Sequence, residues 1–244
     1  MGVGIHRLDQ RPDLIDRVYE LDDGWPAFMG ADPVANALMW RVAHEFPELC
    51  VVGTEDDGSV VARGRAVPFV GRERLPDGGL DRVLVWAFND RQRGRTPTLA
   101  SAIEIAIDSG HKGRGLSHRM VAALREAVRA AGFPALVAPV RPNHKDRDPT
   151  ASMADYVSRT RDDGLPVDPW LRVHVRAGAR VIAVAPASMV MVGSLAEWRE
   201  WTGLPFDRTG EVIVPGALVP VRCVVEHDHA FYVEPNVWMR HELS

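Results

Sequence analysis

The sequence predicts an α/β protein built on one mixed sheet, and three observations predict it. From Leu99 onward the order of elements reads strand, glycine turn, helix, strand, helix, strand. Ahead of that, two apolar runs meet at Asp57-Gly58, a dipeptide suited to a tight hairpin. No repeat, low-complexity linker or second-domain boundary interrupts the 244 residues, so a single domain over 1–244 is expected.

Taken in order, Leu14, Val18 and Leu21 fall at helical spacing and predict a helix over 11–23. A second helix is predicted over 32–49, with Asp32 as its cap and Pro33 in its first turn. Two strands flank Asp57-Gly58. A third strand covers "LASAIEIAID", where Ile103, Ile105 and Ile107 alternate with Glu104, Ala106 and Asp108. After the glycines, Met120, Leu124, Val128 and Ala131 form the stripe of an amphipathic helix that Gly132 ends. A short buried strand, "PALVAPV", follows. The polar stretch after it has the composition for a helix over 152–162. "DPWLRVHVRAGA" reads as a short helix ending near Gly178, and "RVIAVAPASMVMVG" reads as a strand. Ser194 and Glu197 form a capping box for a helix stopped by Gly203. "LVPVRCVVEHDHAFYVEP" closes the chain as a pair of strands.

Composition excludes several classes. The formal net charge is −4 and the basic residues are interleaved with acids, so nothing points to nucleic acid. No apolar run approaches the roughly 20 residues of a membrane span, and the first residues lack a signal-peptide pattern. The two cysteines, Cys50 and Cys223, lie far apart, which suits a reducing compartment and not a metal framework. His227 and His229 flank Asp228 in what reads as a turn, and no metal is expected there. A cytoplasmic protein without nucleic-acid or membrane partners is the expectation. The sequence leaves monomer and homodimer open.

The segment "DSGHKGRGLSHRM" carries the chemistry. A helix start offers unpaired N–H groups and a partial positive charge, and glycines let an anion approach the backbone closely. Lys112 and Arg114 add cationic side chains. The spacing matches neither GxxxxGK[ST] nor GxGxxG. "KGRGLS", residues 112–117, instead resembles the [RQ]xxGx[GA] turn of the GNAT acyl-CoA-dependent N-acetyltransferases, which also lies between a central strand and a helix. Lys112 replaces the usual Arg or Gln, and Ser117 the usual Gly or Ala. The likeness in element order covers about residues 100–192.

The resemblance implies a GNAT-like mixed, splayed sheet flanked by helices. The core would span about 45–192, a helical insertion about 144–167, and an extended C-terminal β region about 193–244. It also implies acetyl-CoA or another acyl-CoA as donor. The backbone N–H groups of Gly113, Arg114, Gly115, Leu116 and Ser117 would hold the pyrophosphate, with the charges of Lys112 and Arg114 auxiliary to them. The pantetheine arm would run along Ile105, Ala106 and Ile107, within a gap between this strand and the next. Asn143 stands where the family often has an Asn on the cofactor arm, and an ordinary turn residue is the competing reading.

Acyl transfer to an amine needs a deprotonated nucleophile, donors for the oxyanion and an acid for the leaving thiolate. Glu104 is the candidate base, directly or through water, with Ala102 and Ala106 beside it on the same face; an exposed or ion-paired carboxylate is the alternative. Asp108 is a second candidate base, nearer the phosphates. By resemblance, a backbone N–H near Ile107 serves the oxyanion. His174 takes the position of the family's acid, usually a Tyr, and an imidazole could protonate a thiolate near neutral pH. Tyr156 is a rival acid and a candidate substrate contact. Trp25, Phe28 and Trp40 are candidates to line the acceptor site, with Asp22 and Asp23 attracting a cationic amine; the alternative is core aromatics and a solvated acidic pair. The insertion is expected to form a flap over the acceptor end. Two functions follow: an acyltransferase acting on a small-molecule amine, or a catalytically silent acyl-CoA sensor.

Overall fold

The computed structural model describes residues 2–21 and 24–243. Its strands are β1 (Gly4–Arg7), β2 (Cys50–Thr54), β3 (Val60–Phe69), β4 (Leu99–Ile107), β5 (Ala135–Val140), β6 (Arg180–Ser194), β7 (Gly210–Val212), β8 (Val221–Val224) and β9 (His229–Glu242). Its α-helices are α1 (Pro33–Leu38), α2 (Val42–Glu45), α3 (Gly79–Gln92), α4 (Leu116–Ala130), α5 (Met153–Ser158), α6 (Pro169–Arg176) and α7 (Leu195–Thr202). The strands form one sheet in the order β1-β2-β3-β4-β5-β9-β8-β7, with β6 on the other side of β9. Among these pairs only β4 and β5 run parallel.

Local chemistry accounts for most of the elements. Glu55 N bonds Ser59 O across the Asp57-Gly58 turn, where Gly58 takes φ +82°. Asp32 caps α1 through Val34 N and Ala35 N, each at 2.8 Å. Ser194 and Glu197 form the reciprocal capping box of α7. The predicted helix over 152–162 is the shorter α5.

Three expectations need correction. The helix over 11–23 is two 3-10 turns, Pro12–Leu14 and Arg17–Tyr19, although Leu14, Val18 and Leu21 are buried. Arg63 Nη1 claims the Val18 and Leu21 carbonyls (2.9 and 3.4 Å), which a continuing α-helix would need for its own ladder. Likewise Arg65 Nη1 takes the Met39 carbonyl at 2.8 Å, where the helix predicted over 32–49 breaks between α1 and α2. The C-terminal residues are not an extension beyond a core ending near 192. β9 lies inside the sheet, pairing β5 from Ala135↔Glu242 to Val140↔Val237, and Val237, Trp238, Met239 and His241 are buried. A further helix, α3, had no sequence expectation. It buries Leu80, Val83, Leu84, Ala87 and Phe88, a 3–4 spacing that marks one apolar face.

Two irregularities shape the centre of the sheet. β4 and β5 pair only at Ala100↔Leu136 and Ser101↔Val137, so the strands part beyond Ser101. Pro139 also removes one ladder donor from β5. The β3–β4 register shifts between Arg65↔Glu104 and Ala66↔Ala102, leaving Ile103 without an opposite residue. Antiparallel partners share a face, and Arg65 and Ala66 point to opposite faces. Ala102 therefore lies on the opposite face from Glu104, and only Ala106 shares its side. On the face opposite to Glu104, α4 packs close: a Cβ on Gly64 would stand 2.9 Å from Val51 Cγ2 and 3.7 Å from Met120 Cε.

Candidate active site

A cleft of about 820 Å³ follows the parting of β4 and β5. Three stretches build it: the turn before α4, the diverging edges of the two strands, and an end lined by Trp25 and Arg141.

At the first stretch, Gly113 and Gly115 adopt φ +79° and +74°, the left-handed region that glycine enters without strain. No side chain caps α4 at Gly115; His118 N donates to the Gly115 carbonyl at 3.2 Å, and the Leu116 and Ser117 amides, without a partner among the described residues, are open to an anion. Lys112, Gly113, Gly115, Leu116 and Ser117 line the cleft, as does Asn143 beyond β5. Arg114 is exposed and does not line it, so what it can offer there is its backbone amide between the two glycines. Asp108 is held by its own turn: Oδ1 accepts from Gly110 N and meets His111 Nδ1, each at 2.9 Å. His111 Nε2 lies 3.1 Å from Glu55 Oε1. Asp108 and then Glu55 raise the His111 pKa, and His111 and the Gly110 amide lower that of Asp108. Asp108 is thereby a turn-forming carboxylate and a poor base.

Along the second stretch, Ile105, Ala106 and Ile107 line the cleft. Beyond Ser101 the β4 edge facing β5 has no strand partner, so it can accept an extended polar chain in sheet-like fashion.

Glu104 lines the cleft too, but both oxygens are engaged. Arg63 Nε and Nη2 reach Oε2 and Oε1 at 2.7 and 2.9 Å, and Arg65 Nε reaches Oε2 at 2.9 Å. All three side chains are 5–7% exposed. Burial alone would push this carboxyl up, but the charge of Arg65 and the hydrogen bonds and charge of Arg63 hold it at about 2. A carboxylate so stabilised is a weak base. It is the ionic centre that fixes two arginines, which in turn hold the N-terminal segment through the Val18, Leu21 and Met39 carbonyls.

His174 also lines the cleft, at 3% exposure, with Trp170 edge-on against its ring. Its Nδ1 lies 3.0 Å from Nε2 of buried His241. Burial first, then His241, depresses His174 to about 3. Burial and then Arg125 depress His241 to about 4. The imidazole is neutral at pH 7, a hydrogen-bonding group rather than a charged one.

At the end lined by Trp25 and Arg141 the structure sorts the aromatic candidates. Trp25 lines the cleft, with Arg141 5.4 Å from its ring centre. Phe28 is buried against Trp198 and Tyr232 and is core. Trp40 is exposed and outside the cleft. Asp22 and Asp23 lie outside the described residues. Tyr156 donates to Asp168 Oδ2 at 3.0 Å, is buried, and does not line the cleft, so it is neither substrate contact nor acid. Asp168 also takes His144 N, Trp170 N and Leu171 N, and Lys145 Nζ bonds the Asp148 and Leu218 carbonyls. The insertion is thus pinned to the body, and only its His144 and Arg147 line the cleft.

Sequence reasoning missed Arg63, Arg65, Arg141, Glu234 and His241. Arginine within an apolar strand, as in "VVARGRAVPF", was the available signal, because buried cations require partners.

No protein-family model matches this chain. A curated protein, the arginine N-acetyltransferase avaD of Aspergillus versicolor, is 30% identical over 275 residues, covering 99% of this chain and 94% of that protein. Among solved structures, the loading GNATL domain of CurA from Lyngbya majuscula superposes with a TM-score of 0.65 at 15% identity, covering 100% of this chain and 98% of that one. A GphF GNAT-like decarboxylase in complex with isobutyryl-CoA gives 0.61 at 17% identity over the full length of both. At these identities the two structural likenesses are of fold.

Proposed function

Because this chain belongs to the GNAT superfamily of acyl-CoA-dependent N-acetyltransferases, we propose that it moves an acetyl group from acetyl-CoA to an amine of arginine or a close relative of arginine. One observation carries the reading: a single cleft joins the open amides of the turn before α4 to the Trp25–Arg141 end through the unpaired edge of β4. The pyrophosphate sits on residues 112–117, the pantetheine arm follows Ile105 to Ile107, and Asn143 flanks it. The acceptor name comes from the relative that matches along nearly the whole chain. A silent acyl-CoA sensor gains nothing from that relative, which is an enzyme.

The amine attacks the thioester carbonyl directly in a ternary complex. Its nitrogen bonds to carbon, the C–S bond breaks, and coenzyme A leaves as thiolate. The acceptor's ammonium must first lose a proton, because it has no lone pair to attack with. Glu104, held at about 2, does not take it, and that proton leaves through cleft water. The attacking nitrogen gives up a second proton as the amide forms, and water relays it to the thiolate, of pKa about 8.5, while neutral His174 supplies a hydrogen bond at the reacting atoms. We place the protein in the cytoplasm: Cys50 and Cys223 are free thiols, and among the described residues no helix is long and apolar enough to cross a membrane.

The test is incubation with acetyl-CoA and a panel of amines, following thiol release and product mass. N-acetylarginine or its close analogue is the expected product. No thiol release with any amine, from protein shown to bind acetyl-CoA, would reverse the proposal.

A further inference from the structure

Arg141 follows β5 directly and is built in on three sides. Its Nε donates to both oxygens of Glu234, at 3.1 and 2.9 Å, and Nη2 donates to the Gly216 carbonyl. Glu234 is fully buried and is itself fixed, accepting from Tyr232 Oη at 2.9 Å and Asn236 Nδ2 at 3.0 Å. Tyr232 Oη in turn accepts from Leu218 N at 2.8 Å. The guanidinium plane is therefore set before any ligand arrives, beside the Trp25 ring. Its remaining nitrogen, Nη1, has no hydrogen-bond partner among the described residues, and Arg141 lines the cleft.

The wall around it has a one-sided chemistry. Among the described residues, the only carboxylate lining the cleft is Glu104, and both its oxygens are taken by Arg63 and Arg65. A fixed guanidinium with an open Nη1, facing a cleft whose described residues offer no free carboxylate, is a receptor for an anionic oxygen.

We propose that Arg141 binds the carboxylate of the acceptor, so that the enzyme acts on α-amino acids and discriminates against the corresponding decarboxylated amines. This inference rests on the acetyl-transfer reading and adds the substrate class. Glu234 is a positioning residue in it. Holding Arg141 by Nε and Nη2 turns Nη1 toward the acceptor, and the bound carboxylate places the neighbouring amine at the thioester.

The test compares matched pairs: L-arginine with agmatine, and L-lysine with cadaverine. In the native enzyme kcat/KM favours the amino acid of at least one pair by about 10- to 100-fold, the worth of one charge-assisted contact. Arg141→Gln alone would strand a buried carboxylate, so it is combined with Glu234→Gln; Arg141→Lys keeps the charge without the fork. In the double variant the preference falls to within about threefold of unity, and Arg141→Lys lies between. Calorimetric titration of the same four compounds into protein saturated with coenzyme A reads the preference without chemistry. Absence of acetyl transfer to every acceptor, with the amino-acid preference in titration intact, counts against the acetyl-transfer reading alone. Equal handling within both pairs by the native enzyme, an unchanged preference in the variants, or an effect confined to the KM of acetyl-CoA would overturn the role of Arg141.

Discussion

The turn that starts α4 and the ionic groups farther along the cleft are built by opposite means. Residues 112–117 present backbone amides, two left-handed glycines and an exposed lysine, all from one short stretch. The rest of the cleft rests on buried charges drawn from distant parts of the chain: Arg63 and Arg65 on Glu104, and Arg141 on Glu234. Backbone amides remain in place whatever the side chains are, so the turn tolerates Lys112 and Ser117 in place of the family's usual residues. A buried ion pair tolerates little, because removing either partner leaves an uncompensated charge out of water. Substitutions in the turn should therefore appear mainly as altered cofactor binding, and substitutions in the ion pairs as lost fold.

The largest expected effect tests the second half of that contrast. Glu104→Gln leaves two buried arginines short of a counter-charge and should cost about 3–5 kcal/mol of stability in urea unfolding. A soluble variant of near-native stability that had lost only turnover would instead restore Glu104 as a base. The native protein should also be acid-sensitive. Glu104 sits at about 2 when folded against an ordinary 4.5, so the stability it contributes is present above pH 4.5 and drains away toward pH 2. His174 and His241 act in the same direction: the unfolded chain takes up protons below about 6.5 that the folded pair refuses until about 4 and 3. A melting temperature flat from pH 7 to pH 3 would contradict both.

Gly115→Ala comes next. A Cβ there meets nothing within 4 Å, so the cost is the left-handed backbone alone, about 1–2 kcal/mol, with a weaker hold on acetyl-CoA. An unchanged KM for acetyl-CoA would remove the turn from the cofactor site.

Asp81→Asn should do the reverse and stabilise. Asp81 Oδ1 and Asp32 Oδ2 are each buried without a hydrogen-bond partner among the described residues, and burial, then the Asp32 charge, raise Asp81 to about 8. Between its ordinary 3.8 and 8 the unfolded chain gives up a proton that the folded protein retains, so stability falls as pH rises through that window. The amide satisfies Asp32 without a shared proton. We expect a gain of about 1–2 kcal/mol at pH 7.5 that disappears near pH 4, read from thermal melts at both pH values. Equal melting temperatures at pH 7.5 would refute the shared proton.

The smallest effects separate two neighbours in the turn. Lys112→Ala should raise the KM of acetyl-CoA about threefold and make it less sensitive to salt, while Arg114→Ala should alter it less than about twofold. Equal effects would return the Arg114 side chain to the cofactor site.

Much of the architecture was legible because its signals are local. The hairpin at Gly58, the caps at Asp32 and Ser194, the stripe of α4 and the glycines of the turn each depend on residues a few positions apart. The gap between β4 and β5 followed from the resemblance, and the two paired positions place it. The misreadings have a shared origin. The helices expected over 11–23 and 32–49 had adequate spacing, but Arg63 and Arg65 draw off carbonyls their ladders would use. Glu104 was placed beside Ala102 because strict alternation was assumed, and one unpaired residue, Ile103, reverses it.

By itself the sequence determined where the glycine turn lies, which strand and helix flank it, and that a coenzyme A thioester is the partner its family uses. These depend on backbone conformation and short-range spacing, which a chain carries wherever it is placed. Only the tertiary structure decided that Glu104 is an anchor and a poor base, that His174 is neutral, and that Arg141 is aimed into the cleft. Protonation and orientation are set by burial and by the nearest charge. Those neighbours, 41 positions away for Arg63 and Glu104 and 93 for Arg141 and Glu234, are brought together only by folding.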